Sequence, residues 1–242
     1  MPVPDAVRLW SEATEACTGA QTFSAEIRVS GSVGAERLRR VTLQGAMTRN
    51  GEIKLLAVAP AGPPIFNLAG RADRATLTLP RDRRILVAPA ADIVDALIGL
   101  RLTPADWLDL LSGCVTAKRA VDGVLINGAT IISLEDAGGR VRLEKDGASW
   151  RTVAGERPDL LVEYPEFLGR WPSVARLSSR GGAAVVVRLE LAIGQVFVNS
   201  PLAPRVFAPD AATGLSPMTL DELRALGPMG GSHSGAEPPG ER

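Results

Sequence analysis

The stretch AEIRVSGSVGAERLRRVTLQGAMTRNGEIKL, residues 25–55, decides the fold. Ile27, Val29 and Val33 alternate with Glu26, Arg28, Ser30 and Ser32, and Val41, Leu43 and Met47 alternate with Arg40, Thr42, Gln44 and Thr48. A period of two puts successive side chains on opposite faces, so each run reads as a strand with one wet face and one buried face. Asn50-Gly51 then turns the chain toward Ile53 and Leu55, and Asn-Gly between alternating runs is the strongest short-range hairpin signal.

Upstream of this stretch the period is helical. Val7, Trp10 and Cys17 recur at helix spacing, and Gly19 supplies a stop. Downstream, strands read at residues 65–69, 75–79 and 85–88, which makes six short strands in succession and predicts an antiparallel meander. Residues 92–98 carry Ile93, Val94, Leu97 and Ile98 on one side of a helix ending at Gly99. Thr103-Pro104 opens another, with Thr as N-cap and Pro at the first helical position. The strand pattern resumes at 129–134, around Val141 and Leu143, at 149–154, 160–164 and 174–178, and along 184–198. Thr219 and Glu222 form a capping box before a last short helix. The expectation is a mainly β (α+β) domain over residues 1–227. A single curved antiparallel sheet of about eleven strands forms an unclosed barrel, capped by short helices on its concave side. Residues 228–242, rich in Gly and Pro, read as a disordered tail.

The 242 residues are 45% apolar and 22% charged, enough to bury a sizeable core. Lys plus Arg and Asp plus Glu number 27 each, so no net field draws the chain to phosphate backbones, and nucleic acid is not an expected partner. No apolar run approaches the length that crosses a bilayer. Met1-Pro2-Val3-Pro4-Asp5 is not the start of a secretory signal, so the protein is either cytosolic or its signal segment is absent from this chain. Cys17 and Cys114 both fall at predicted helix ends, where a bridge is sterically open. A disulfide between them would place the protein in an oxidising compartment; two buried free thiols are the alternative.

Residues that carry chemistry are scarce. The one histidine, His233, sits in the tail, which leaves no Ser-His or Cys-His pair and no metal-ligand spacing. Asp106 with Asp109, and Asp221 with Glu222, stand in helical first turns, where they meet the macrodipole. Gly138-Gly139 and Gly181-Gly182 read as turns between strands. The clusters Arg37, Arg39, Arg40 and Arg81, Arg83, Arg84 stand at hairpin ends and read as solvated hairpins, with lipid headgroups or a partner as the other reading. No enzymatic activity and no cofactor are expected.

The apolar face remains. By parity Ile27, Val29, Val41 and Leu43 point inward, as do Ile53, Leu55 and Leu77. Val141, Leu143, Val187, Leu189 and Leu191 do the same in the second half. A curved sheet fills its hollow with its own helices or with a ligand.

The order Ser24 to Gly31, Pro60-Ala61-Gly62-Pro63-Pro64-Ile65-Phe66, Leu79-Pro80, the helix at 92–99 and Leu111-Ser112-Gly113 resembles the superfamily of periplasmic lipoprotein carriers and outer-membrane lipoprotein receptors, the LolA/LolB-like proteins. Trp171-Pro172, the strand at 185–198 with Asn199-Ser200-Pro201-Leu202, and Phe207 fit the same plan. The resemblance implies a half-barrel whose apolar cavity shelters acyl chains, with Phe66 joining the inward residues (Leu191 aside) as ligand contacts. It also implies a loop at 60–65, here with Ala61 and Ile65, that meets membrane or partner. The partners expected are lipid or lipoprotein acyl chains and a peripheral outer-membrane contact, for a monomer that is periplasmic or anchored to the outer membrane. The rival expectation is a structural or interaction protein whose barrel is filled by Ile93, Val94, Leu97, Trp107 and Leu111.

Overall fold

A computed structural model describes residues 1–58, 63–116, 118–126, 128–135, 139–181, 185–211 and 213–230, and of residue 39 the backbone alone. The chain runs α1 (Ala6–Thr18), β1 (Thr22–Val33), β2 (Glu36–Thr48), β3 (Glu52–Val58), β4 (Phe66–Arg71), β5 (Ala75–Leu79) and β6 (Arg84–Ala88). Then come α2 (Ala90–Ile98), α3 (Pro104–Leu111), β7 (Ala120–Ile126), β8 (Ala129–Leu134), β9 (Arg140–Asp146) and β10 (Ser149–Glu156). It closes with β11 (Leu160–Leu168), β12 (Trp171–Ser179), β13 (Val187–Val198), β14 (Ser216–Pro217) and α4 (Leu220–Ala225).

All the strands belong to one curved sheet in the order β14-β6-β5-β4-β3-β2-β1-β13-β12-β11-β10-β9-β8-β7. Among the described residues its two edges, β14 and β7, do not pair, so the barrel stays open. The expected meanders are both there: β1 to β6 in the first half and β7 to β13 in the second, joined where β1 meets β13 in a register that sets Ile27 against Ile193 and Val33 against Val187. On its other side, against β2, β1 carries a bulge between Val29 and Gly31. Gly31, at φ 137°, lies so close to β13 that a Cβ there would come within 2.0 Å of the Arg188 carbonyl oxygen.

α3 and α4 start where the sequence marks them, while α2 starts at Ala90, two residues before the expected Asp92. Thr103 and Asp106 close a capping box on α3, with Pro104 at its first position, and Thr219 and Glu222 do the same on α4. α2 ends on Gly99 in the left-handed region at φ 71°, a conformation glycine adopts without steric cost. α1 buries Leu9, Trp10, Thr14 and Cys17 on one face against β7 and β10. Its Trp10 Nε1 donates to the Lys118 carbonyl oxygen at 2.9 Å. Cys17 is bridged to Cys114 beyond α3, with Cα atoms 6.0 Å apart, so the two cysteines form a disulfide.

Three sequence expectations change. The sheet has fourteen strands among the described residues, where about eleven were expected. β7 escaped notice because it is an edge strand with a burial pattern that does not alternate, and β14 because it is two residues long and pairs in parallel with β6. Residues 228–230, placed in the tail, form a 3-10 turn whose Met229 is 2% exposed within the core; residues 231–242, with His233, lie outside the described residues. The second arginine cluster holds the chain's own C-terminal segment: Arg83 donates to the Gly214 carbonyl and Arg84 to the Glu222 carboxylate, while Arg81 donates to the Pro63 carbonyl. Arg37 and Arg40 are exposed.

Candidate functional site

Inside the half-barrel, Val29 of β1, Leu43 of β2, Leu55 of β3 and Phe66 of β4 share a hollow with Leu189 and Leu191 of β13. Across from the sheet stand Val94, Leu97 and Ile98 of α2, Trp107 of α3 and Met229. What they leave is a cavity of about 20 Å³. That is room for about one water molecule, whereas small-ligand sites run from about 300 to 1,000 Å³. The vacant cavity expected from the sequence is therefore filled in this conformation, by α2, α3 and Met229.

Five of the residues expected to face a ligand line this hollow: Val29, Leu43, Leu55, Phe66 and Leu189. Ile27, Val41, Ile53, Leu77 and Val187 are equally buried but pack elsewhere in the same core, as do Val141 and Leu143 under the second meander. Val94, Leu97 and Trp107 appeared in the sequence only as possible fillers, and the parity of Leu191 already pointed inward. Met229 had no signal, because a lone Met among Gly and Pro has no periodicity to read. Ala61 lies outside the described residues. Ile65 is not at a loop tip: it is 7% exposed, part of the core, and its amide donates to the Ala57 carbonyl at 2.8 Å.

A second space of about 560 Å³ opens to solvent at the rim, between Val33 and Glu36 of the first hairpin, the end of α2 and residues Arg224 to Pro228. Arg224 reaches Asp95 at 3.3 Å and Asp221 at 3.0 Å, tying α4 to α2. Gly227 meets the Glu36 carboxylate, since a Cβ at this position would sit 3.1 Å from its oxygen. The wall between this cleft and the hollow is thin. Leu97 lines both spaces, and of two consecutive residues Pro228 lines the cleft and Met229 the hollow. The turn that carries Met229 has backbone hydrogen bonds that are local: Gly227 N–H to Arg224 and Gly230 N–H to Gly227.

α3 is tied to both halves of the sheet by its acidic residues. Arg49, just past β2, pairs with Asp109 at 2.5 Å and also donates to the carbonyls of Cys17 at 2.7 Å and Ala20 at 3.2 Å. Arg157, in the turn after β10, pairs with Asp106 at 2.5 Å. Burial raises the Asp109 carboxyl above its ordinary value, against the opposing pull of Arg49. Burial also pushes Asp106 upward, but the hydrogen bonds from Thr103 and the charge of Arg157 together outweigh it and hold that carboxyl low. Tyr164, fully buried, donates its hydroxyl to the Leu110 carbonyl at 2.9 Å, and burial raises its pKa. These groups are structural ties; none of them lines the hollow.

No protein-family model and no curated protein matches the chain. Solved structures do. An outer membrane lipoprotein-sorting protein domain from Vibrio parahaemolyticus is similar over 83% of this chain and 95% of its own, at 14% identity and a TM-score of 0.52. A LolA superfamily protein from Nitrosomonas europaea is similar over 87% and 99%, at 11% identity and a TM-score of 0.50. A DUF1329 family protein from Desulfovibrio piger is similar over 86% and 97%, at 11% identity and a TM-score of 0.52. The fold of this chain is that of the LolA-like proteins, the open half-barrel capped by helices that the sequence resemblance implied.

Proposed function

We propose that this protein is a non-enzymatic binder of lipid or lipoprotein acyl chains in the cell envelope, and that it binds by exchanging its own Met229 for ligand hydrocarbon. The observation that carries this reading is the thin wall. A purely apolar hollow is separated from an open cleft of about 560 Å³ by Leu97 and one locally bonded turn. Withdrawal of Met229 joins the two spaces into one channel whose inner end is hydrocarbon. Each methylene buried there contributes roughly 0.8 kcal/mol. Val29, Leu43, Leu55, Phe66 and Leu189 are the side chains that would contact the chain. Likeness in fold to a lipoprotein-sorting protein domain supports the reading, as does a disulfide suited to an oxidising, extracytoplasmic compartment. A monomer suffices for it, with a peripheral contact to the outer membrane.

A second reading, an interaction protein with a permanently filled barrel, is favoured by the small size of the hollow, about 20 Å³. Native mass spectrometry with monolauroylglycerol separates the two. The carrier reading expects a saturable one-to-one complex, tightened about tenfold in Met229→Ala, because the ligand no longer displaces a buried side chain. No complex with either protein leaves the filled barrel.

A further inference from the structure

The outer face of the seam carries arginines that nothing neutralises. On β1, Arg28, Ser30 and Ser32 share the face opposite Ile27 and Val29, because side chains alternate along a strand. Ser32 is paired with Arg37 of β2 on one side and with Arg188 of β13 on the other, so the two arginines flank it in one row on one face. Two strand spacings, about 10 Å, separate them. Arg40 stands two residues before Thr42, the partner of Arg28, and so falls on the same face. Arg28, Arg37, Arg40 and Arg188 are exposed, and none meets a carboxylate among the described residues. The second meander is different: Arg140, Arg142 and Arg176 are paired with Glu156, Glu144 and Glu190. The row also ends at the open cleft. Val33 and Glu36, next along β1 and β2, line that cleft, with Glu36 turned toward Gly227. Val185, from the same wall, and Val186 are 40% and 50% exposed, and the Gly34 amide fixes them beside the turn from β1 to β2 by donating to the Val186 carbonyl at 2.8 Å.

From these observations we infer that the rim of the cleft is a docking surface for an anionic phospholipid bilayer. Arg37 and Arg188, with Arg40 and Arg28 behind them, meet headgroup phosphates, which guanidinium groups bind in a bidentate fork. Val185 and Val186 enter the boundary of the acyl layer beside them. The charge match is local, since the whole chain has 27 basic and 27 acidic residues and offers no net attraction of its own. The contact is peripheral, as no helix among the described residues is long and apolar enough to cross a membrane. The inference rests on the acyl-binding reading above for its purpose, and it names the surface at which the cleft opens. A bilayer held at this rim sets the mouth of the cleft against acyl chains, so that hydrocarbon passes between them with little exposure to water.

The test is co-sedimentation with phosphatidylcholine vesicles and with vesicles that also hold about one third phosphatidylglycerol. The wild type is expected to bind the anionic vesicles at least about tenfold more tightly than the neutral ones, and to lose most of that preference as ionic strength rises. Arg37→Gln with Arg188→Gln is expected to weaken anionic binding about twenty- to thirtyfold, roughly fivefold for each charge at the surface. Arg71→Gln with Arg74→Gln, at the turn from β4 to β5 on the opposite end of the barrel, is expected to leave it within about twofold. A second readout does not depend on the arginine variants folding: an environment-sensitive fluorophore on Val186→Cys should shift to the blue with anionic vesicles, and the same label on exposed Asp73→Cys should not. No vesicle binding, equal binding by Arg37→Gln with Arg188→Gln and the wild type, or a blue shift at position 73 in place of 186 overturns the docking surface. Each of these leaves acyl binding standing, because that is read from the monolauroylglycerol complex without vesicles. Vesicle binding as expected but no monolauroylglycerol complex overturns the acyl-binding reading and keeps the docking surface.

Discussion

The two meanders are built of similar strands but are covered differently. In the first, α2 lies over the concave side, with Ile93 and Leu97 buried, and the chain at 204–210 crosses the convex side. As a result Phe66, Asn67, Leu68 and Ala69 of β4 are all buried, and Asn67 donates through Nδ2 to the Asp210 carboxylate. In the second, α1 covers the concave side and the convex side is wet. β9 shows the outcome, Val141 and Leu143 buried and Arg140, Arg142 and Glu144 exposed. Val121, Leu125, Ile126, Leu161 and Leu168 remain at the surface of this half, and β10 holds β11 through three register pairs. Burial is thus set by what lies over a strand as much as by the strand's own residues.

The largest test of this contrast removes the disulfide. Cys17→Ser with Cys114→Ser releases a loop closed over 97 residues and is expected to cost about 4 to 5 kcal/mol on the chain-entropy account. Because the bridge anchors α1, hydrogen exchange should quicken first in β7 to β10, and equal loss of protection in β1 to β6 would break the contrast. A smaller effect is expected at the seam. Gly31→Ala forces a Cβ against the Arg188 carbonyl in a backbone conformation that disfavours alanine, for a loss of about 2 to 3 kcal/mol. This loss should appear as one cooperative shift in denaturant midpoint with both halves unfolding together, since β1 and β13 serve both.

The smallest effect concerns pH, and it separates the two ties of α3. Asp109 faces the first half and titrates above its ordinary 3.8, so the native state keeps its proton where the unfolded chain has lost it. Its contribution is present at acid pH and is lost as pH rises from 3.8 through the raised folded value. Asp106 faces the second half and titrates below 3.8, so its contribution is present above that value and is lost as pH falls through the lower folded one. Urea midpoints measured across this range should lose the fall on the upper side in Asp109→Asn and the fall on the acid side in Asp106→Asn. Identical pH profiles for the two variants would show that the ties are not distinct.

Much of this architecture was legible residue by residue. The Ile27-Val29 and Val41-Leu43 alternations, the turn at Asn50-Gly51 and the capping boxes at Thr103 and Thr219 are local signals, and local backbone geometry answers to them. The site was half legible. Val29, Leu43, Leu55, Phe66 and Leu189 could be placed on the inner face, but Met229, which closes it, could not. Nor could Ile65 be recognised as core, since a loop rich in Pro and Gly reads the same whether its apolar residue turns outward or folds under.

The amino-acid sequence determined by itself most of the strands and helices and the greasy face of the strands that alternate, because those properties depend on neighbours two to four residues apart. Tertiary structure alone decided that the two meanders join through β1 and β13, that Cys17 meets Cys114, and that a methionine beyond the last helix fills the barrel. Such contacts span tens to hundreds of residues, and their free energy comes from excluding water between surfaces that no local pattern brings together.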